Sequence, residues 1–194
     1  MSKLIYRYAT MGSGKTREII SVKYNYEQIG DNCLVFVPDI VDKVESRSGD
    51  SVNSISFNKS DDLYELFKWY NEKYENGLRC IIVDECQFLT VEQVYQITDV
   101  VDYLNITVMC YGLTTDFRTG LFPASKALFE LANVKEELTV KKLCPCGKKA
   151  LVNARFEDGE ITIEGETEVT RDVVEYKPLC RKCFKEAVKE RYYG

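Results

Sequence analysis

Three groups of residues in this sequence have the types and spacing to do chemistry. The first is Ala9-Thr10-Met11-Gly12-Ser13-Gly14-Lys15-Thr16, set between an apolar run, Leu4-Ile5-Tyr6, and a helical pattern that begins Arg17-Glu18-Ile19-Ile20. Strand, glycine-rich loop and helix in that order build a phosphate-binding loop. Its backbone N–H groups converge on phosphate oxygens, and the helix start adds partial positive charge. Lys15 would reach the β- and γ-phosphates of a nucleoside triphosphate, and the Thr16 hydroxyl would ligate Mg²⁺. Ala9 stands where the pattern G-x-x-x-x-G-K-[ST] has its first glycine, whereas Gly12, Gly14 and the Gly-Lys-Thr triplet are in place. The competing reading is a glycine-rich turn that happens to precede Lys-Thr; the flanking strand and helix weigh against it.

The second group is Asp84-Glu85, at the end of the apolar run Cys80-Ile81-Ile82-Val83. In such a segment the first carboxylate helps to hold Mg²⁺ and the next can act as a base. Strands often end in acids, so the signal gains its force from following a phosphate loop. The sequence contains no histidine, which excludes a Ser-His triad and any histidine metal ligand. A general base must then be a carboxylate or, less favourably, a lysine or tyrosine.

The third group is cysteine. Cys144-Pro145-Cys146-Gly147 and Cys180-Arg181-Lys182-Cys183 form two close pairs, each able to give two thiolates to one tetrahedral Zn²⁺. Four protein ligands leave no open position, so the metal would be structural. Two disulfides are the alternative, and they fit poorly with a start that lacks the apolar stretch of a secretion signal. Cys33, Cys80 and Cys110 lie in apolar, strand-like runs and Cys86 just follows one; these read as small buried hydrophobes.

The elements that must position these groups follow from periodicity. Residues 16–29 read as a helix closed by Gly30, and Cys33-Leu34-Val35-Phe36-Val37 as a strand buried on both faces and ended by Pro38. Residues 39–54 form a long polar connection. In it Asp42-Lys43 and Ser46-Arg47-Ser48-Gly49 could face the nucleotide, although a solvated loop is the commoner reading. Ser60-Asp61-Asp62 opens a helix whose stripe of Leu63, Leu66, Phe67, Tyr70 and Tyr74 reads as core, closed by Gly77. Thr90-Val91-Glu92-Gln93 is a capping box for a helix facing inward through Val94, Ile97, Val101 and Leu104, and residues 106–111 are the next buried strand. Strands alternating with helices predict a doubly wound α/β sheet with ligands beyond the strands' C-terminal ends. The loop 9–16, Asp84-Glu85 and Gly112-Leu113 should therefore converge. Beyond residue 140, Leu151–Phe156 and Ile161–Ile163 around Asp158-Gly159 spell a hairpin, so residues 141–194 read as a small zinc ribbon carrying a long loop, 164–179.

Length and composition are consistent with this plan. The 194 residues, 45% of them hydrophobic, suffice for one nucleotide-binding domain, 1–140, and the small domain 141–194. A net charge of −5 advertises no polyanion partner, and no apolar run is long enough to cross a bilayer. A cytoplasmic protein with neither nucleic-acid nor membrane partners is expected.

Met11-Gly12-Ser13-Gly14-Lys15-Thr16, Val83-Asp84-Glu85-Cys86-Gln87-Phe88, Tyr111-Gly112-Leu113-Thr114-Thr115-Asp116-Phe117-Arg118, both cysteine pairs and the approach Tyr176-Lys177-Pro178-Leu179-Cys180 together resemble the thymidine kinases of the human cytosolic and bacterial type, in order and over essentially the whole chain. The resemblance implies a RecA-like P-loop domain with a mostly parallel sheet and helices on both faces, a C-terminal zinc-ribbon domain with a lasso loop, and a homotetramer. It implies transfer of the ATP γ-phosphoryl group to the 5′-hydroxyl of thymidine, with Glu85 as the base. Residues 9–16 with Asp84 and Gln87 would surround ATP, and Thr16 and Asp84 would surround Mg²⁺. Met11, Phe88, Leu113, Phe117, Val169 and Tyr176 would hold thymidine, with Phe117 stacked on the base and Met11 and Leu113 at its 5-methyl group. The lasso would run from about Glu166 to Tyr176, with Arg171-Asp172 where the family usually has Gly-Gly; Lys43 stands where an arginine near the phosphates is usual. Two other classes stay open at this point: a nucleic-acid-dependent P-loop ATPase with a zinc module, and a nucleotide-binding regulatory module without turnover.

Overall fold

The computed structural model describes residues 1–40, 44–45, 51–139, 141–167 and 174–194. The chain runs through β1 (Leu4–Tyr8), α1 (Lys15–Gln28), β2 (Cys33–Pro38), the short strands β3 (Val44–Glu45) and β4 (Ser51–Val52), β5 (Ile55–Phe57), α2 (Leu63–Glu72) and β6 (Cys80–Val83). A 3₁₀ turn at Cys86–Phe88 then leads to α3 (Val91–Tyr103), β7 (Thr107–Gly112), α4 (Pro123–Leu131) and β8 (Val134–Glu137). The chain finishes with β9 (Val152–Glu157), β10 (Glu160–Thr162), β11 (Val174–Leu179) and α5 (Arg181–Tyr193).

Six strands make one sheet in the order β5-β2-β6-β7-β1-β8, and every pairing in it is parallel. Parallel strands need crossovers, and the helices that supply them cover both faces. On one face Ile19, Val22 and Tyr26 of α1 pack with Cys33, Val35, Val37, Cys80 and Ile82. On the other, Leu63, Phe67, Val94, Ile97 and Leu128 from α2, α3 and α4 pack with Phe36, Ile81, Val83, Val108 and Cys110. Successive residues of β6 thus enter opposite cores and all are buried, which is why the strand reads as one apolar run. Cys33, Cys80, Cys86 and Cys110 are buried and free, as small hydrophobes.

Local signals set the helix starts. The Asp62 side chain accepts from the Glu65 N–H at the head of α2, and Thr90 and Gln93 form a complete capping box on α3. Tyr74 lies beyond the end of α2 but still packs on the core. Strand β5, α4, β8 and α5 were not legible from periodicity. The first and third are short edge strands, and Phe184 is the one buried residue of α5.

The C-terminal segment forms a separate antiparallel sheet, β10-β9-β11, with the β9–β10 turn at Asp158 (φ 51°) and Gly159 (φ 84°). One expectation is corrected here. The end of the long loop 164–179 is strand β11, in register with β9 from Val174 opposite Glu157 to Leu179 opposite Val152. Its Pro178 is tolerated because β11 is an edge strand, and that proline hides the strand in the sequence. Among the described residues no helix is long and apolar enough to cross a membrane.

Candidate active site

The loop between β1 and α1 sits at the C-terminal edge of the parallel sheet. Gly12 and Gly14 have φ of 72° and 81°, a left-handed backbone that side chains resist. Ala9 has no positive φ, so the missing first glycine costs no backbone strain; its N–H donates to the Gly112 carbonyl, tying the loop to β7. The Thr10 and Ser13 hydroxyls hydrogen-bond to each other at 3.0 Å. Lys15, the first residue of α1, is buried beside Asp84 at the end of β6. Burial, then the charge on Glu85, pushes the Asp84 carboxyl up to about 7, against the pull of the Glu85 N–H and the Lys15 ammonium. A buried acid so short of positive charge, at a phosphate loop, fits a divalent cation.

Glu85 has φ 50°, the left-handed region, where a non-glycine residue carries strain of about 1–3 kcal/mol. Its surroundings hold it there. Its N–H donates to Asp84 Oδ1 at 2.9 Å, and its carbonyl accepts from the Phe88 N–H as the 3₁₀ turn begins. Its carboxylate accepts from Gln87 Nε2 at 2.6 Å. Gln87 is 3% exposed, and its Oε1 accepts from the Leu113 N–H at 3.0 Å. The Leu113 carbonyl in turn accepts from the Tyr6 hydroxyl at 3.0 Å and the Ser125 hydroxyl at 2.6 Å. Close approach of the 3₁₀ turn to β7 requires Gly112, where a Cβ would stand 2.6 Å from both Cys86 Sγ and Gln87 Oε1.

Glu85 opens onto a cavity of about 250 Å³. Met11, Phe88, Leu113, Phe117 and Tyr176, all expected around a nucleoside, line it together with Gln87. Phe117 is buried, with the Arg155 and Arg118 guanidinium groups 5.1 Å and 5.2 Å from its ring centre. Burial raises the Tyr176 hydroxyl, and the Arg155 charge opposes this. Asp116, also at the wall, accepts from the Arg118 and Gly120 N–H groups.

Two further residues come from β9. Val152, Ala154 and Phe156 face the core of the C-terminal module, with Ile161, Leu179 and Phe184. The alternate residues, Asn153 and Arg155, face the cavity side. Asn153 Oδ1 accepts from the Met11 N–H at 2.9 Å, and Arg155 Nη1 donates to the Glu166 carbonyl at 2.9 Å. Arg155 also pairs with Glu157, and its Nε is buried with no partner among the described residues. Sequence reasoning missed both, although the signal existed: two polar residues alternating with apolar ones in a hairpin strand mark a second buried face.

The thiol sulfurs of Cys144, Cys146, Cys180 and Cys183 lie within 4.8 Å of one another, with Cys146 and Cys180 3.7 Å apart. Four sulfurs at about 2.3 Å around zinc would stand about 3.8 Å apart, so the donor set and spacing fit the metal. The structure thus sets Lys15 beside Asp84, brings Met11, Glu85 and Gln87 into one cavity wall with Phe88, Leu113, Phe117 and Tyr176, and separately gathers the four cysteines. Gln87, expected at the nucleotide, has both ends of its amide engaged by Glu85 and Leu113. Val169, Asp42-Lys43, residues 46–49 and Arg171-Asp172 lie outside the described residues.

Comparison with known proteins agrees with this geometry. The sequence model of the thymidine kinase family matches residues 2–184. A thymidine kinase of Legionella pneumophila is 41% identical, covering 95% of this chain and 90% of its own length. Another from Rhodopirellula baltica is 42% identical over 98% of this chain and 92% of its own, and one from Francisella tularensis is 37% identical over 98% and 100%. With its phosphate loop, its paired carboxylates and its cavity in the positions described, the chain belongs to the thymidine kinase family.

Proposed function

We infer that this protein is a thymidine kinase, transferring the γ-phosphoryl group of ATP to the 5′-hydroxyl of thymidine. The observation that carries this reading is Glu85, which lines one cavity together with Met11 of the phosphate loop, with its carboxylate held by Gln87. Glu85 takes the proton from the 5′-hydroxyl as that oxygen attacks the γ-phosphorus, and the β–γ bridging oxygen leaves with ADP. General-base help of this kind contributes roughly 10²–10⁴ in rate. Lys15 and the loop amides neutralise the charge on the β- and γ-phosphates. Thr16 and Asp84 would hold Mg²⁺, which supplies further charge neutralisation on the same phosphates.

On the acceptor side Phe117 offers a stacking surface and Met11, Phe88, Leu113 and Tyr176 surround the nucleoside, and the family resemblance implies that Val169 and the rest of the lasso would close over it. Enclosure excludes water, which would otherwise accept the phosphoryl group. Cys144, Cys146, Cys180 and Cys183 would bind one structural zinc, holding residues 141–194 as a domain beside the kinase domain, 1–140. We take the enzyme to be a cytoplasmic homotetramer without a nucleic-acid partner, on the strength of the resemblance and the acidic charge balance.

The test is an ATP-consumption assay across the natural nucleosides, with the product identified. Thymidine-dependent ADP release with formation of thymidine 5′-monophosphate supports the reading. ATP hydrolysis stimulated by DNA and indifferent to thymidine would replace it with the ATPase reading, and no turnover with any nucleoside would leave a regulatory module.

A further inference from the structure

Arg155 is a costly side chain for this fold to keep. It is 4% exposed, and a buried guanidinium is unfavourable unless it is well paired and hydrogen-bonded. Its pairing is incomplete. The carboxylate on it is that of Glu157, whose side chain is 44% exposed, and Nε is buried without a partner among the described residues. Such a pair is often no better for stability than an apolar side chain of similar length. What the guanidinium does have is neighbours that need a fixed position. Nη1 donates to the Glu166 carbonyl at 2.9 Å, and the backbone passes so close that a Cβ on Gly165 would stand 3.2 Å from Nη1. The centre of the Phe117 ring lies 5.1 Å from the guanidinium carbon.

These neighbours come from both halves of the chain. Phe117 stands in the segment between β7 and α4, whereas Arg155 is on β9, with Tyr176 of β11 opposite it on one side and Thr162 of β10 on the other. Phe117 and Tyr176 line the cavity; Arg155 is not among the lining residues, so it acts through its neighbours. Arg118 also approaches the Phe117 ring, at 5.2 Å, but its side chain is 45% exposed and tied to Asp116. A desolvated cation holds an aromatic ring more strongly than an exposed one, so Arg155 sets the ring. We propose that Arg155 is a positioning residue for nucleoside binding: its guanidinium fixes the Phe117 ring relative to the Gly165-Glu166 backbone and so keeps the stacking surface in place. The proposal deepens the thymidine kinase reading above and rests on it.

Arg155→Met removes the charge and the planar fork but keeps an unbranched side chain. The groups it leaves behind, the half-exposed Glu157 and the exposed Glu166, can reach water, so the melting temperature should not fall. The KM for thymidine should rise about 10-fold, with kcat and the KM for ATP within about twofold of the unaltered enzyme. An unchanged thymidine KM would overturn the proposal. So would an equal rise in both KM values with a lower melting temperature, which marks a residue that serves only the fold. Phe117→Leu supplies a second measurement. In that background Arg155→Met should raise the thymidine KM by no more than about twofold, because the ring through which it acts is gone. The same factor in both backgrounds would overturn the proposal. Should Arg155→Met fail to fold, Arg155→Lys keeps a charge beside Glu157, but one ammonium cannot lie on the ring and reach Glu166 at once. Its thymidine KM should rise about threefold, and a native value would again overturn the proposal. An unaltered enzyme that does not phosphorylate thymidine would remove the underlying reading instead.

Discussion

Gln87 Nε2 donates to Glu85 Oε2 at 2.6 Å while its own oxygen is held by the Leu113 N–H. Because the Leu113 end can only donate, the Glu85 end of Gln87 can only donate too, and the carboxylate is aimed by a chain of bonds running back to Tyr6 and Ser125. Gln87→Met, similar in size but without the amide, is expected to lower kcat by about 10- to 100-fold with little change in the KM for ATP. Steady-state kinetics check this. A raised KM for ATP at unchanged kcat would place Gln87 at the nucleotide, the role implied by the family resemblance.

Glu85→Gln keeps the size of the side chain and removes its basicity. Its kcat should fall roughly 10²-fold or more while thymidine affinity, read by calorimetry, stays largely intact. If only KM moved, the base would have to be sought elsewhere.

Lys15→Ala should nearly abolish transfer. The side chain is buried at the start of α1 beside Asp84, and among the described residues no lysine or arginine lines the cavity that could take its place. Product formation measured with saturating ATP decides this, and turnover close to that of the unaltered enzyme would remove the phosphate-loop assignment.

Gly112→Ala puts a methyl group 2.6 Å from Cys86 Sγ and 2.6 Å from Gln87 Oε1, with the Gln87 backbone nitrogen at 3.2 Å. Overpacking of this kind costs about 1–3 kcal/mol. The variant should melt at lower temperature and lose kcat together, because the displaced group is the one that aims Glu85. Loss of stability with full kcat in the folded fraction would show that Gln87 tolerates the shift.

One zinc per chain should copurify. Structural sites of this type are worth about 10–16 kcal/mol in apparent binding free energy. Chelation or Cys183→Ser should therefore loosen β9 and β11 and raise the KM for thymidine more than that for ATP. Elemental analysis and the two KM values test it, and a metal-free protein with native kinetics would refute it.

Much of the nucleotide half was legible in the sequence because its signals are local. A glycine loop between strand and helix, a strand ending in two acids, and the Thr90–Gln93 capping box each specify a backbone path within a few residues. Residues that work through long-range contacts were less visible. Asn153 stands far along the chain from Met11, and only the folded register of β9 turns it toward the phosphate loop. The strand character of residues 174–179 was hidden by Pro178, and the left-handed backbone of Glu85 has no sequence signature, since nothing in a glutamate announces a positive φ. Ala9 shows the converse: the pattern asks for glycine, but the backbone there does not need one.

The strand order also fixes a length. With β7 inserted between β1 and β6, the ends of the phosphate-loop strand and the acidic strand stand two strand spacings apart, about 9.5 Å. Adjacent strands would bring the loop and the carboxylates together with room for little more than a metal ion. The inserted strand works as a spacer: it opens a gap wide enough for a terminal phosphate and an incoming alcohol in line with it. The roof of that gap is the β7 end itself, Gly112-Leu113, whose backbone both touches Ala9 and holds Gln87. Donor and acceptor sides of the reaction are thus gauged against one short piece of main chain.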